Sequence, residues 1–190
     1  MRNTGATPAV PATTALPSRT AIPSSAAPAT TAAPTTAAAE STMCVASELR
    51  GSFREIPASA SAGHVEARLV LTNASASPCR TYGYAGMRLL DAAGRSLPTN
   101  VVREPGAEET VLLAPGASTP AAGRFSPDIA GPGDSSTGPC QPVAVRTEVT
   151  PPDDTQQLVV PGPGVPVCEK GTLDLSPPQV GAGAGASAGA

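Results

Sequence analysis

From Val65 to Thr72 the chain reads VEARLVLT, with Val65, Ala67, Leu69 and Leu71 on one face and Glu66, Arg68, Val70 and Thr72 on the other. A period of two predicts a half-buried β-strand. Asn73 and the SASP that follows end it, because such side chains bond their own backbone in turns. The pattern resumes in AGMRLLD, turns at AAGR and returns as SLPTNVVR, where Pro98 fits an edge position or a strand start. After the turn EPGAEE come the strand TVLLA, the turn PGAS and the strand TPAAGRFS. A loop rich in Pro, Gly, Ser and Asp, Pro127 to Pro139, separates these from the second half. There CQPVAVRTEVT alternates Val143, Val145, Thr147 and Val149, PPDDTQ turns, QLVVP is a short strand, and VCEKGTLDLS closes the series.

No segment carries a convincing helical period. Short strands at this spacing predict an all-β fold, an antiparallel β-sandwich of about seven to nine strands.

Composition limits how much of the chain joins that sandwich. Of the first 42 residues, 33 are Ala, Thr, Pro or Ser. Such a segment buries too little apolar surface to offset roughly 1–2 kcal/mol per residue of backbone ordering. Residues 1–42 are therefore expected to form a disordered, extended linker, and residues 181–190, GAGAGASAGA, a disordered tail. The folded domain is expected over 43–180. Its core is thin: much of the 40% hydrophobic content is Ala, Trp is absent, and Phe and Tyr number two each.

Cys44, Cys79, Cys140 and Cys168 are even in number and confined to the folded region. None forms a CxxC pair, and the single His64 leaves no Cys/His set with zinc spacing, so no metal site and no cofactor are expected. Two disulfides place the domain in an oxidising, extracytoplasmic compartment. Three connectivities are open, and the sequential one, Cys44 with Cys79 and Cys140 with Cys168, is preferred. No apolar run serves as a signal-peptide core or approaches the length of a membrane span, so either an export signal lies outside this chain, the favoured expectation, or export takes another route. A net charge of −3 argues against nucleic acid or an anionic membrane as partner. A monomer is expected.

Each candidate for chemistry has a plainer reading. His64, between SASAG and the first long strand, lacks nameable partners and is read as a loop residue. That leaves no usual general base for a serine or cysteine nucleophile, and no catalytic elbow, zinc-protease helix or P-loop occurs. Glu108–Glu109 and Asp153–Asp154 are acidic pairs in expected turns, without the alternating oxygen ligands of a calcium loop. Asp128 and Asp134 fall in the long loop, and GPGDSSTG resembles a phosphate cradle in composition only. Asn73-Ala74-Ser75 matches the N-glycosylation triplet, but its place at a strand end favours a turn. Tyr82 and Tyr84 flank Gly83 near Cys79 and are expected to pack beside a disulfide, one buried and one nearer the surface.

The segment LVLTNASASPCRTYGYAGMRLLDAAGRSL resembles the actinobacterial domain of unknown function 4232. Cys44 and Leu49, Leu71-Thr72-Asn73, Cys79 and Gly83-Tyr84 stand at its motif positions. VLLAPGAS, Phe125 and the late pair Cys140 and Cys168 extend the resemblance over about residues 43–178. It departs at Ala85, where the family usually has proline. The resemblance implies an immunoglobulin-like fold and a secreted or lipid-anchored envelope protein, and it implies no activity. The expected function is a non-catalytic binding or interaction module whose partner is an envelope protein or glycan. A structural spacer or surface antigen is the alternative, followed by a hydrolase using paired carboxylates.

Overall fold

The computed structural model describes residues 41–181 and 184–186. In chain order its elements are β1 (Thr42–Met43), a 3-10 turn (Ala46–Glu48), β2 (Leu49–Glu55), β3 (Val65–Asn73), β4 (Cys79–Thr81), β5 (Gly86–Leu90), β6 (Asn100–Arg103), β7 (Val111–Leu113), β8 (Ser118–Phe125), β9 (Arg146–Thr150), β10 (Leu158–Pro161), a helical turn α1 (Cys168–Gly171), β11 (Thr172–Leu175) and β12 (Ala184–Ala186). The expected linker over 1–42 lies outside the described residues except for its last two. Thr42 already belongs to β1 and pairs with Cys79.

The alternating segment is β3, and its inward set Val65, Ala67, Leu69 and Leu71 is buried. It sits between β2 and β8, both antiparallel to it, in a five-stranded sheet of order β2-β3-β8-β11-β6. A three-stranded sheet β10-β9-β5 and a four-stranded sheet β1-β4-β7-β12 complete the fold. All three sheets feed one core, in which Phe53 of β2 and Phe125 of β8 lie with ring centroids 6.2 Å apart. The architecture is the all-β sandwich expected, with disulfides Cys44–Cys79 and Cys140–Cys168.

Several details differ from the sequence reading. The strands outnumber the seven to nine expected, because β1, β4 and β12 have two or three residues and carry no period, and β2 was not expected. Two pairings are parallel rather than antiparallel, β1 with β4 and β11 with β6. Parallel neighbours need a long connection. The whole of β7 to β10 lies between β6 and β11, and Cys44–Cys79 ties the chain next to β1 to the start of β4.

The alternation read through Val143 and Val145 breaks. Both are exposed, Ala144 is buried in their place, and the strand begins only at Arg146, after which Thr147 and Val149 point inward. The tail expected to be structureless from 181 is corrected at three residues. Ala184–Ala186 pair antiparallel with Val111–Leu113, a backbone pairing that needs no side-chain burial.

Candidate functional site

The outer face of the five-stranded sheet carries the polar half of the β3 alternation. Register places Arg54 of β2 opposite Arg68, and Arg68 opposite Ala122 of β8. Ser176, just beyond β11, donates its N–H to the Ala122 carbonyl at 2.8 Å and accepts the Ala122 N–H on its hydroxyl at 2.9 Å. Glu104 follows β6, and its N–H donates to the Leu175 carbonyl at 3.0 Å. One row across the sheet thus begins with two arginines, dips at Ala122 and Ser176, and rises again at Glu104. The next row runs Glu66, Arg124, Asp174.

The dip is an open cavity of about 300 Å³ whose walls include Arg68, Arg124, Glu66, Glu104 and Asp174. Ala122 gives it a low floor, because larger side chains stand on both flanking strands. None of these five charged side chains has an ion-pair partner within 4.0 Å. Among the described residues the ion pairs are Arg88–Glu148 and Arg95–Asp91, elsewhere in the fold. Charges of both signs therefore meet at one depression with their hydrogen-bonding capacity unspent.

The residues singled out from sequence lie apart from this cavity. His64 bridges Ser61 through its backbone, and its Nδ1 lies 3.2 Å from the Ala62 carbonyl oxygen. It lines a separate cavity of about 210 Å³ with Pro127 and Asp128. Glu108 and Glu109 are exposed in the loop before β7. Asp153 is exposed with φ of 60°, whereas Asp154 accepts the backbone N–H groups of Ala46 and Thr155, each at 2.7 Å, and of Gln156 at 3.0 Å. The bonds from Gln156 and Ala46 hold the Asp154 carboxyl below the usual carboxylate range. Its lone pairs secure the 3-10 turn next to Cys44.

Asp134 is engaged more fully. Its carboxylate accepts hydrogen bonds from the N–H groups of Gly131, Glu169 and Lys170 and from Gln141 Nε2. Desolvation pushes its pKa up, but the bonds from Gly131, Gln141, Lys170 and Glu169 outweigh that and hold it at about 2. Its oxygen lies within 4.8 Å of the sulfurs of Cys140 and Cys168. With both sulfurs in a disulfide and the carboxylate saturated by N–H donors, the three form a structural knot and offer no free ligand for a metal. GPGDSSTG is the loop that presents Asp134 to this knot.

Asn73 is fully buried. Its Nδ2 donates to the carbonyls of Ser77 and Leu113, and its Oδ1 accepts from the N–H and hydroxyl of Ser75. The triplet asparagine is a turn organiser, as read, and its Nδ2 donates two hydrogen bonds in the fold. The tyrosines depart from expectation, since neither is buried. Tyr82 is exposed, and Tyr84 is half-buried with its hydroxyl donating to the Glu104 carbonyl at 2.7 Å and the Arg103 guanidinium 5.2 Å over its ring. The aromatic bulk of the core is Phe53 and Phe125 instead, on the two strands that flank β3 in the same sheet.

Arg68, Arg124, Glu104 and Asp174 were not singled out from sequence. The period of two marks Glu66 and Arg68 as outward, but nothing local says that Ala122 lies beside them or that Glu104 closes the far side.

No curated protein and no solved structure matches this chain. Residues 44–179 match the family described as Domain of unknown function (DUF4232), from the first cysteine to the segment that follows β11, and the chain belongs to that family.

Proposed function

We propose that this chain is a non-catalytic binding module, exported to the cell envelope of an actinobacterium and monomeric, with an envelope protein or glycan as partner. The observation that carries this reading is the cavity over Ala122, where five charged side chains converge without pairing. A site built for recognition keeps such capacity for its ligand, whereas charges serving only solubility scatter over the surface. The two disulfides support an oxidising compartment. No helix among the described residues is long and apolar enough to cross a membrane. Of the acidic pair Asp153–Asp154, Asp154 spends its lone pairs on backbone N–H groups, which supports a role without catalysis.

Retention of envelope components by the oxidised, immobilised chain tests the reading. A component retained by the native chain, lost with Arg68→Ala plus Asp174→Ala and kept with Glu109→Ala in a distant exposed turn, is expected. Retention indifferent to the cavity variants, or none by a folded chain, would favour a spacer or surface antigen.

A further inference from the structure

The charges around the cavity are arranged with a direction. On the β3 side Arg68 lines the cavity, with Arg54 of β2 directly opposite it in register and outside the lining. Like charges at such a pair repel unless an anion is shared between them. On the β11–β6 side stands Glu104, with only Ala122 and Ser176 between it and Arg68, while Asp174 lies in the next row beside Arg124. Arg124, flanked in register by Glu66 and Asp174, closes one side of the dip.

Strands in a sheet lie about 4.8 Å apart, so from β3 to the β6 column is roughly 14 Å, and less between side-chain ends that lean inward. A ligand complementary to this row carries an anionic group at one end, a cationic group at the other, and a slim, uncharged middle. An extended peptide advances about 3.4 Å per residue, which makes three or four residues the matching length. A single amino acid is too short to reach both ends. A dicarboxylate or a diamine would set a like charge against one end. A neutral sugar would leave both ends unpaired, and the residues lining the cavity include no aromatic ring on which it could stack.

We propose that the trough over Ala122 binds a short extended peptide in zwitterionic form, its C-terminal carboxylate at Arg68 and its N-terminal ammonium at Glu104. This rests on the binding-module reading and names the ligand class of the same site. A guanidinium takes a carboxylate with two parallel N–H donors, and a carboxylate accepts from an ammonium. Small side chains are expected in the middle of the ligand, because the depression there has the depth of one alanine.

The test uses the oxidised full chain and tetra-alanine in four forms: free, N-acetylated, C-amidated and doubly capped. Binding is followed by titration calorimetry and by backbone amide shifts. The free peptide is expected to bind saturably in the millimolar range and to shift the amides of Ala122 and Ser176, and each cap is expected to weaken it about tenfold. Arg68→Ala is expected to abolish the penalty of amidation while leaving that of acetylation, and Glu104→Gln the reverse. That crossed pattern fixes the orientation and does not arise from a general loss of folding. Equal binding of all four forms, shifts confined to another face, or no binding overturns the assignment. If the tetrapeptides fail while an envelope component is still retained through Arg68 and Asp174, the peptide assignment falls and the binding-module reading stands.

Discussion

The Asp134 carboxylate accepts the backbone N–H of Lys170 at 2.9 Å from a position 36 residues away in the chain. Glu169 and Lys170 both have left-handed backbones, with φ of 54° and 56°, and Gly171 continues the turn at 76°. Each non-glycine residue there is disfavoured by roughly 1–2 kcal/mol, so the turn persists only because its surroundings dictate it. An anion aimed at consecutive N–H groups of such a turn is an effective means of dictating it. Asp134→Asn removes an acceptor and points an amide N–H₂ at other donors, so it should destabilise the oxidised chain by about 1–2 kcal/mol, the lower part of the range for charged bonds because the site is partly solvated. The pH dependence has a definite sign. The folded pKa of about 2 lies below the ordinary 3.8, so the stabilisation is complete above about pH 3.8 and is lost as pH falls toward 2. Denaturant melts across that window should show a steeper acid limb for the native chain than for Asp134→Asn.

At Gly171 the demand is spatial as well as conformational. A Cβ there would sit 1.9 Å from the Pro98 carbonyl oxygen, part of the backbone leading into β6, and φ is positive. Gly138 also has positive φ, at 83°, but a Cβ on it would meet nothing within 4 Å. Gly138→Ala should therefore cost only the backbone preference, about 1 kcal/mol, whereas Gly171→Ala should cost at least about 3 kcal/mol or prevent folding. Thermal unfolding of the two variants side by side separates the effects. Equal losses would mean that α1 does not press against Pro98 in solution.

What could be read from sequence was whatever a strand advertises by itself. In β3 the inward set is continuous, Val65 through Leu71, and the strand and its buried face both follow from the alternation. In β2 the inward set is Leu49, Gly51 and Phe53, and its middle member is bare because a Cβ at Gly51 would lie 2.4 Å from the Val70 carbonyl oxygen. The close approach of β3 thus removes the residue that would have shown the period, and no strand was expected there. The same limit hid the trough. Arg68 was legible as outward-facing, but its neighbours Ala122 and Ser176 come to it through register, a property of strand pairs. The Asp134 knot was hidden because an aspartate in a Pro/Gly loop looks like any solvated turn until its distant N–H partners are known.

Asn73 supplies a sharper case of a polar residue in the core. Two donors and two accepted bonds from one buried amide connect the end of β3 to Leu113 of β7 and to the Ser75–Ser77 turn. Truncation to Ala removes the bonds to the Leu113 carbonyl and from the partly buried Ser75 N–H, at an expected cost of about 1–3 kcal/mol. Asn73→Asp should be comparably damaging, since it faces two carbonyl oxygens with a carboxylate. In a host that glycosylates Asn-X-Ser, peptide mass spectrometry of the folded, secreted chain should find Asn73 unmodified. A glycan at that site on folded protein would contradict its burial.

The two disulfides close loops of similar length, with separations of 35 and 28, and the chain-entropy account gives each roughly 3.5–4 kcal/mol. Their surroundings differ. Cys44–Cys79 joins the start of β4 to the residue after β1, where the Cys44 N–H already donates to the Arg80 carbonyl. Cys140–Cys168 anchors the start of the left-handed turn that Asp134 holds from the other side. Residues that fix one shared element should not act additively, while those without shared partners should. The cost of Asp134→Asn should therefore fall by at least about 0.5 kcal/mol in a Cys140→Ala/Cys168→Ala background, because the turn is then already free to relax. It should be unchanged in a Cys44→Ala/Cys79→Ala background. Denaturant unfolding of the two double-mutant cycles decides this, with non-reducing peptide maps confirming the remaining disulfide in each. Full additivity in both backgrounds would show that Asp134 and Cys140–Cys168 stabilise the corner independently.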